Sequence, residues 1–122
     1  AAFLNQNPKQ VFKTLVTVGA SKKNYVFVVP VEGELNLKKA AKSVGEKSVE
    51  MIPMKDLLGV TGYIRGGCSP IGMKKRFATY FHSTAADHDV IYVSAGVRGL
   101  QIEINPNELI SFVDGVISDV AI

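Results

Sequence analysis

The chain has 122 residues, 47% of them hydrophobic and 20% charged, with a formal net charge of +3. That length sets one domain able to bury roughly two-thirds of its unfolded surface, and the composition excludes a disordered chain. The single cysteine excludes an internal disulfide and a multi-cysteine zinc site, while the mild positive charge permits a nucleic-acid partner without demanding one.

Residues 1–10 are neither basic at their start nor continuously apolar, so they do not read as a secretory signal. The chain does not begin with Met, and part of an N-terminal segment is expected to be missing. Residues 11–18 (VFKTLVTV) are rich in β-branched and aromatic types and stop at Gly19, which predicts a strand. Alternation puts Val11, Lys13, Leu15 and Thr17 on one face and Phe12, Thr14, Val16 and Val18 on the other. Lys13 is an isolated cation in an otherwise uncharged strand; by itself it reads as a stem lying over apolar surface with its head in water. Residues 25–31 (YVFVVPV) form a second strand, buried on both faces and pairing with the first as a hairpin. Pro30 predicts an edge or a bulge near its end. No apolar run is long enough to cross a bilayer, which argues against a membrane partner.

Asn36 as a cap, apolar spacing at Leu37, Ala40, Ala41 and Val44, and a closing Gly45 predict a short helix. A short strand at 48–52 and a turn or two of helix at 54–58 lead to residues 62–72 (GYIRGGCSPIG), with four glycines, a proline and Cys68. This stretch reads as a shaped loop of backbone amides. Strands follow at 76–81, 90–94 and 100–104, with a second glycine-bearing turn at 94–99. Asn105, Pro106 and Glu108 then open a helix whose apolar stripe runs from Leu109 to Val120, weakened by Gly115. Short strands mixed with three helices predict an α/β fold with a mixed sheet.

Common catalytic patterns fail on inspection. Residues 67–72 have P-loop glycine spacing, but Met73 and Lys74 follow where Lys and Ser/Thr are required. His82 and His88 flank a polar connection without helical ligand spacing, so no metal is expected. No G-x-S-x-G elbow places a serine nucleophile. Cys68, near Arg65, Lys74 and Lys75, invites a thiol-nucleophile reading that the residues alone leave open.

Three stretches in order, FKTL at 12–15, the glycine-rich 62–72, and YVSAG…RGLQ at 92–101, resemble the YbaK/EbsC family, related to the editing domain of bacterial prolyl-tRNA synthetases. The likeness runs from about Val11 to the final helix and is nearest to free-standing cysteinyl-tRNA deacylases. It implies a mixed, strongly curved, barrel-like sheet flanked by helices, in a single domain over residues 1–122. It also implies a cytoplasmic enzyme without cofactor or metal that acts on the 3′ end of aminoacyl-tRNA, alongside prolyl-tRNA synthetase. Lys13 matches the family's functional lysine, with Thr14 after it. The backbone of Gly66, Gly67, Cys68, Ser69 and Pro70 matches the loop that holds the aminoacyl end. Ser94, Gly96, Arg98 and Gln101 match the pocket around the second glycine turn. Cys68 falls where the family accepts other small or apolar residues, which removes the nucleophile reading. At Gln101 some relatives carry aspartate, which argues against an essential acidic role there.

The resemblance implies removal of cysteine mischarged onto proline tRNA by attack of the substrate's own thiol. Two other readings stay open: a deacylase for another small amino acid such as alanine, and a non-catalytic module that binds tRNA or a synthetase.

Overall fold

The β-branched run near the start of the chain builds the centre of the sheet. The computed structural model describes residues 8–62, 70, 77–94, 96 and 101–121. In chain order the described strands are β1 (Phe12–Gly19), β2 (Asn24–Pro30), β3 (Val49–Met51), β4 (Ala78–His82), β5 (Ile91–Ser94), β6 (Gln101–Ile104) and β7 (Val116–Ser118). The helices are α1 (Leu37–Val44), α2 (Met54–Thr61) and α3 (Pro106–Phe112). The predicted hairpin forms: β1 and β2 pair antiparallel from Phe12 opposite Pro30 to Val18 opposite Asn24.

The larger sheet runs β3-β1-β2-β4-β7, with β4 and β7 added in parallel, and β5-β6 form a second, antiparallel pair. The mixed α/β class is as expected, although the five-stranded sheet stays open with β3 and β7 at its edges. β2 lies inside this sheet, so Pro30 marks neither an edge nor a bulge; it takes the last ladder position, and its carbonyl accepts from Gly33 N at 3.0 Å.

Alternation along the central strands divides the core. Phe12, Val28 and Phe81 face the β5-β6 pair, where Ile91 and Val93 meet them together with Leu109 of α3. Val16 and Val26, further along that face, receive Leu57 of α2. On the opposite face, Phe27 and Val29 pack against Ala40 and Ala41 of α1 and against Val120. Helix α1 is closed at both ends as its sequence predicts. The Asn36 side chain accepts from Lys38 N and Lys39 N at 3.0 and 3.1 Å, and Gly45 takes the left-handed cap at φ 73°.

The C-terminal stretch departs from the expected long helix. α3 stops at Phe112, Asp114 turns the chain at φ 53°, and Val116–Ser118 becomes a strand on β4. Gly115 permits this close return, because a Cβ there would lie 2.5 Å from the Phe81 ring. The apolar residues that continue the helical stripe in sequence are β-branched, and in β7 they extend the sheet.

The segment after β7 is fastened by His82, whose Nδ1 accepts hydrogen bonds from the Val120 and Ala121 amides, both at 3.2 Å. Burial, reinforced by Lys39, lowers the His82 pKa below its ordinary value near 6.5, while Asp119 and Asp87 oppose the shift. In the depressed-pKa case both folded and unfolded chains are neutral above that value. As pH falls, the unfolded chain gains its proton first and stability is lost, until the folded pKa is reached. We expect the unfolding midpoint to drop between pH 7 and 5, and to drop less in His82→Asn, which keeps an acceptor without titrating.

Candidate functional site

Two neighbours share the outer edge of β1. At its start Val11 bridges Tyr92 of β5 in parallel, and at its end Thr17–Gly19 pair with Val49–Met51 of β3. Between them lie Lys13, Thr14 and Leu15, which no described strand pairs on that edge.

The register decides which side chains meet there. Counted from the Val11–Tyr92 bridge, Lys13 and Ser94 each lie two residues further along their strands, so alternation gives them the same face. The antiparallel β5-β6 ladder sets Ser94 directly opposite Gln101. Lys13, Ser94 and Gln101 thus make up one row of same-face residues on three strands, turned away from Phe12 and Val93 in the core. All three are half-buried, as suits groups lining a cleft. Just past the row, Ser94 Oγ accepts from Gly96 N at 3.2 Å, and Gly96 holds φ 105°, a conformation that favours glycine. This local bond fixes the turn that leaves β5.

Thr14, adjacent to Lys13, necessarily points the other way, towards the core face. Its Oγ1 is buried and has no hydrogen-bond partner among the described residues. An unpaired buried hydroxyl costs roughly 1–3 kcal/mol, so Thr14→Val is expected to raise stability by about 1 kcal/mol in urea unfolding. A lowered midpoint instead means that the hydroxyl has a partner in solution.

The glycine-rich stretch leaves α2 at Gly62, which holds φ 84°, and α2 is seated on Val16 and Val26 by Leu57. Pro70 is buried. Gly66, Gly67, Cys68, Ser69 and Arg98 lie outside the described residues. Of the expected site residues that are described, Lys13, Ser94 and Gln101 share a face, Gly96 lies two residues beyond Ser94, and Thr14 faces away.

Neither histidine stands beside Ser94 as a base. His82 is committed to the C-terminal amides, and His88 packs edge-on against Phe12 with ring centroids 6.4 Å apart. The row can bind an anionic or polyhydroxyl group and place a cation and hydrogen-bonding groups next to a polarised carbonyl. Such an arrangement positions a substrate and stabilises charge.

A family model for the aminoacyl-tRNA editing domain matches residues 1–112. The chain belongs to this family. Among its relatives is an Enterococcus faecalis protein provisionally named Cys-tRNA(Pro)/Cys-tRNA(Cys) deacylase EbsC. The two are 52% identical over 111 residues, or 91% of this chain and 68% of that protein. A solved structure provisionally described as a trans-editing enzyme for prolyl tRNA synthetase superposes with a TM-score of 0.87 at 23% identity, over 96% of this chain and 73% of the other. A second, described only as hypothetical, gives a TM-score of 0.91 at 23% identity, over 100% of this chain and 81% of the other. At that identity the two structures establish the fold, and the editing-domain fold is the one adopted here.

The sequence alone assigned no role to Tyr92 or Glu103, which oppose each other two rungs along from Ser94 and Gln101 and so on the same face. The signal was available in the alternation of residues 92–94 and 101–103, but the register that aligns the two strands was not. No described helix is long and apolar enough to cross a membrane.

Proposed function

We propose that this chain, as a single editing domain, is a free-standing deacylase that removes cysteine mischarged onto proline tRNA in the cytoplasm. Its substrate is the ester between the cysteinyl carbonyl and the terminal ribose. The cysteine thiol attacks its own carbonyl. A carbon–sulfur bond forms, the carbon–oxygen ester bond breaks, and the thiol proton ends on the ribose hydroxyl. The protein supplies no nucleophile; its work is to hold the ester and stabilise the oxygen that gains negative charge.

In this reading Lys13 binds the terminal phosphate or ribose and stabilises that charge. Ser94, Gly96, Arg98 and Gln101 line the pocket, while the backbone of Gly66, Gly67, Cys68, Ser69 and Pro70 holds the aminoacyl end. The observation that carries the reading is the shared face of Lys13, Ser94 and Gln101, without a histidine base, in a chain 52% identical to a relative named as a cysteinyl-tRNA deacylase. The reaction also solves a selection problem. A pocket that measures size gains about 1–3 kcal/mol per methylene, too little to separate cysteine from other small side chains, whereas a thiol that must react is a chemical filter. Prolyl-tRNA synthetase is the proposed partner that supplies tRNA identity.

Blocking the thiol tests the mechanism. Proline tRNA charged with cysteine and then S-methylated should keep its ester at the spontaneous rate in the presence of the protein, while the unmodified substrate is cleared. Equal clearance of both would mean that water is the nucleophile.

A further inference from the structure

The outer face of the β5-β6 pair carries two neighbouring rungs, Ser94 opposite Gln101 and Tyr92 opposite Glu103. The first belongs to the row that meets the ester. The second places an aromatic ring on the same face, two residue pairs away, which is about 7 Å along a strand. The core does not account for this ring: Ile91, Val93, Ile102 and Ile104 are the side chains that these strands turn towards the core. Tyr92 instead lies half-buried beside Val11, its bridge partner, and Lys13 stands two residues further along that strand. Its hydroxyl donates to Glu103 Oε1 at 3.4 Å, a weak tether from a residue exposed to solvent.

A flat, half-covered ring next to a cation and a cleft suits one kind of ligand group, a nucleobase. Aromatic stacking accepts any base through its π-face and needs no edge contacts. The nucleotide that carries the amino acid has its base one ribose away from the ester, which matches the about 7 Å between the two same-face pairs. We propose that Tyr92, steadied by Glu103, is the stacking platform for the terminal adenine of the aminoacylated strand. This rests on the deacylase reading, since that reading fixes where the ester lies.

The test uses the intact chain and two assays. Uncharged proline tRNA with 2-aminopurine as its terminal base reports stacking by fluorescence quenching, independently of turnover. Steady-state deacylation of cysteinyl-charged tRNA reports KM and kcat. Wild type and Tyr92→Phe, which keeps the ring, should quench alike and share KM within about twofold. Tyr92→Leu, which keeps apolar bulk without the π-face, should lose the quenching and raise KM on the order of tenfold or more, with kcat at saturation close to wild type. Tyr92→Ala should repeat the Leu result, and the Leu variant serves alone if the smaller side chain impairs folding. Unchanged quenching and KM in folded Tyr92→Leu, with wild type active, would overturn the stacking role. Absence of turnover in wild type would overturn the deacylase reading itself, a separate failure.

Discussion

Lys13→Ala is expected to lower the rate of cysteine release by roughly 30- to 1,000-fold, equivalent to about 2–4 kcal/mol of transition-state stabilisation, if Lys13 has the proposed role. The size follows from the role. Lys13 is an isolated cation of β1, on the same face as Ser94, where the strand edge is unpaired by any described strand. Negative charge grows on the carbonyl or the departing ribose oxygen as the thiol attacks, and a fixed cation there is worth most in the transition state. Folding depends on Lys13 much less, because its side chain is half-buried and its stem does the packing. Lys13→Met, which keeps the stem, should therefore unfold at nearly the wild-type urea concentration while losing activity like Lys13→Ala. Near-normal release by either variant would remove Lys13 from the chemistry.

Phe81→Ala is expected to destabilise the chain by about 3–5 kcal/mol, the range for deleting a buried phenylalanine. Phe81 is fully buried on β4, opposite Val28 of β2 on one side and Ile117 of β7 on the other. Its ring joins Phe12, Ile91, Val93 and Leu109, so it holds the β5-β6 pair against the main sheet. Gly115 fits against the same ring, and Gly115→Ala would press a methyl group to 2.5 Å from it. Both changes should lower the unfolding midpoint, one by a cavity and the other by crowding. A Phe81→Ala loss below about 1 kcal/mol would mean that the two sheets are held together by other contacts.

Local chemistry made much of the fold readable. The runs at 11–18 and 25–31 have one stable use as a buried hairpin, and Asn36 and Gly45 mark the ends of α1 because each satisfies backbone groups that a helix leaves unpaired. The C-terminal stretch was not readable in this way. Residues 109–120 carry a helical stripe, yet their fate depends on the left-handed turn at Asp114 and on an open edge of β4, both tertiary facts. Lys13 stood out because a lone cation in an apolar strand needs a reason. Ser94 and Gln101 were named only through the family resemblance, because their face relative to Lys13 depends on a parallel bridge between strands some eighty positions apart in sequence. For the same reason Thr14, next to Lys13 in sequence, lies on the other face.

The measurement that tests the central claim most directly is release of labelled amino acid from proline tRNA charged with cysteine, beside the same tRNA charged with alanine. The account predicts that the wild-type chain clears cysteine and leaves alanine at the spontaneous rate. Equal release of both would contradict thiol-dependent chemistry, and protection of both esters would make the chain a binding module.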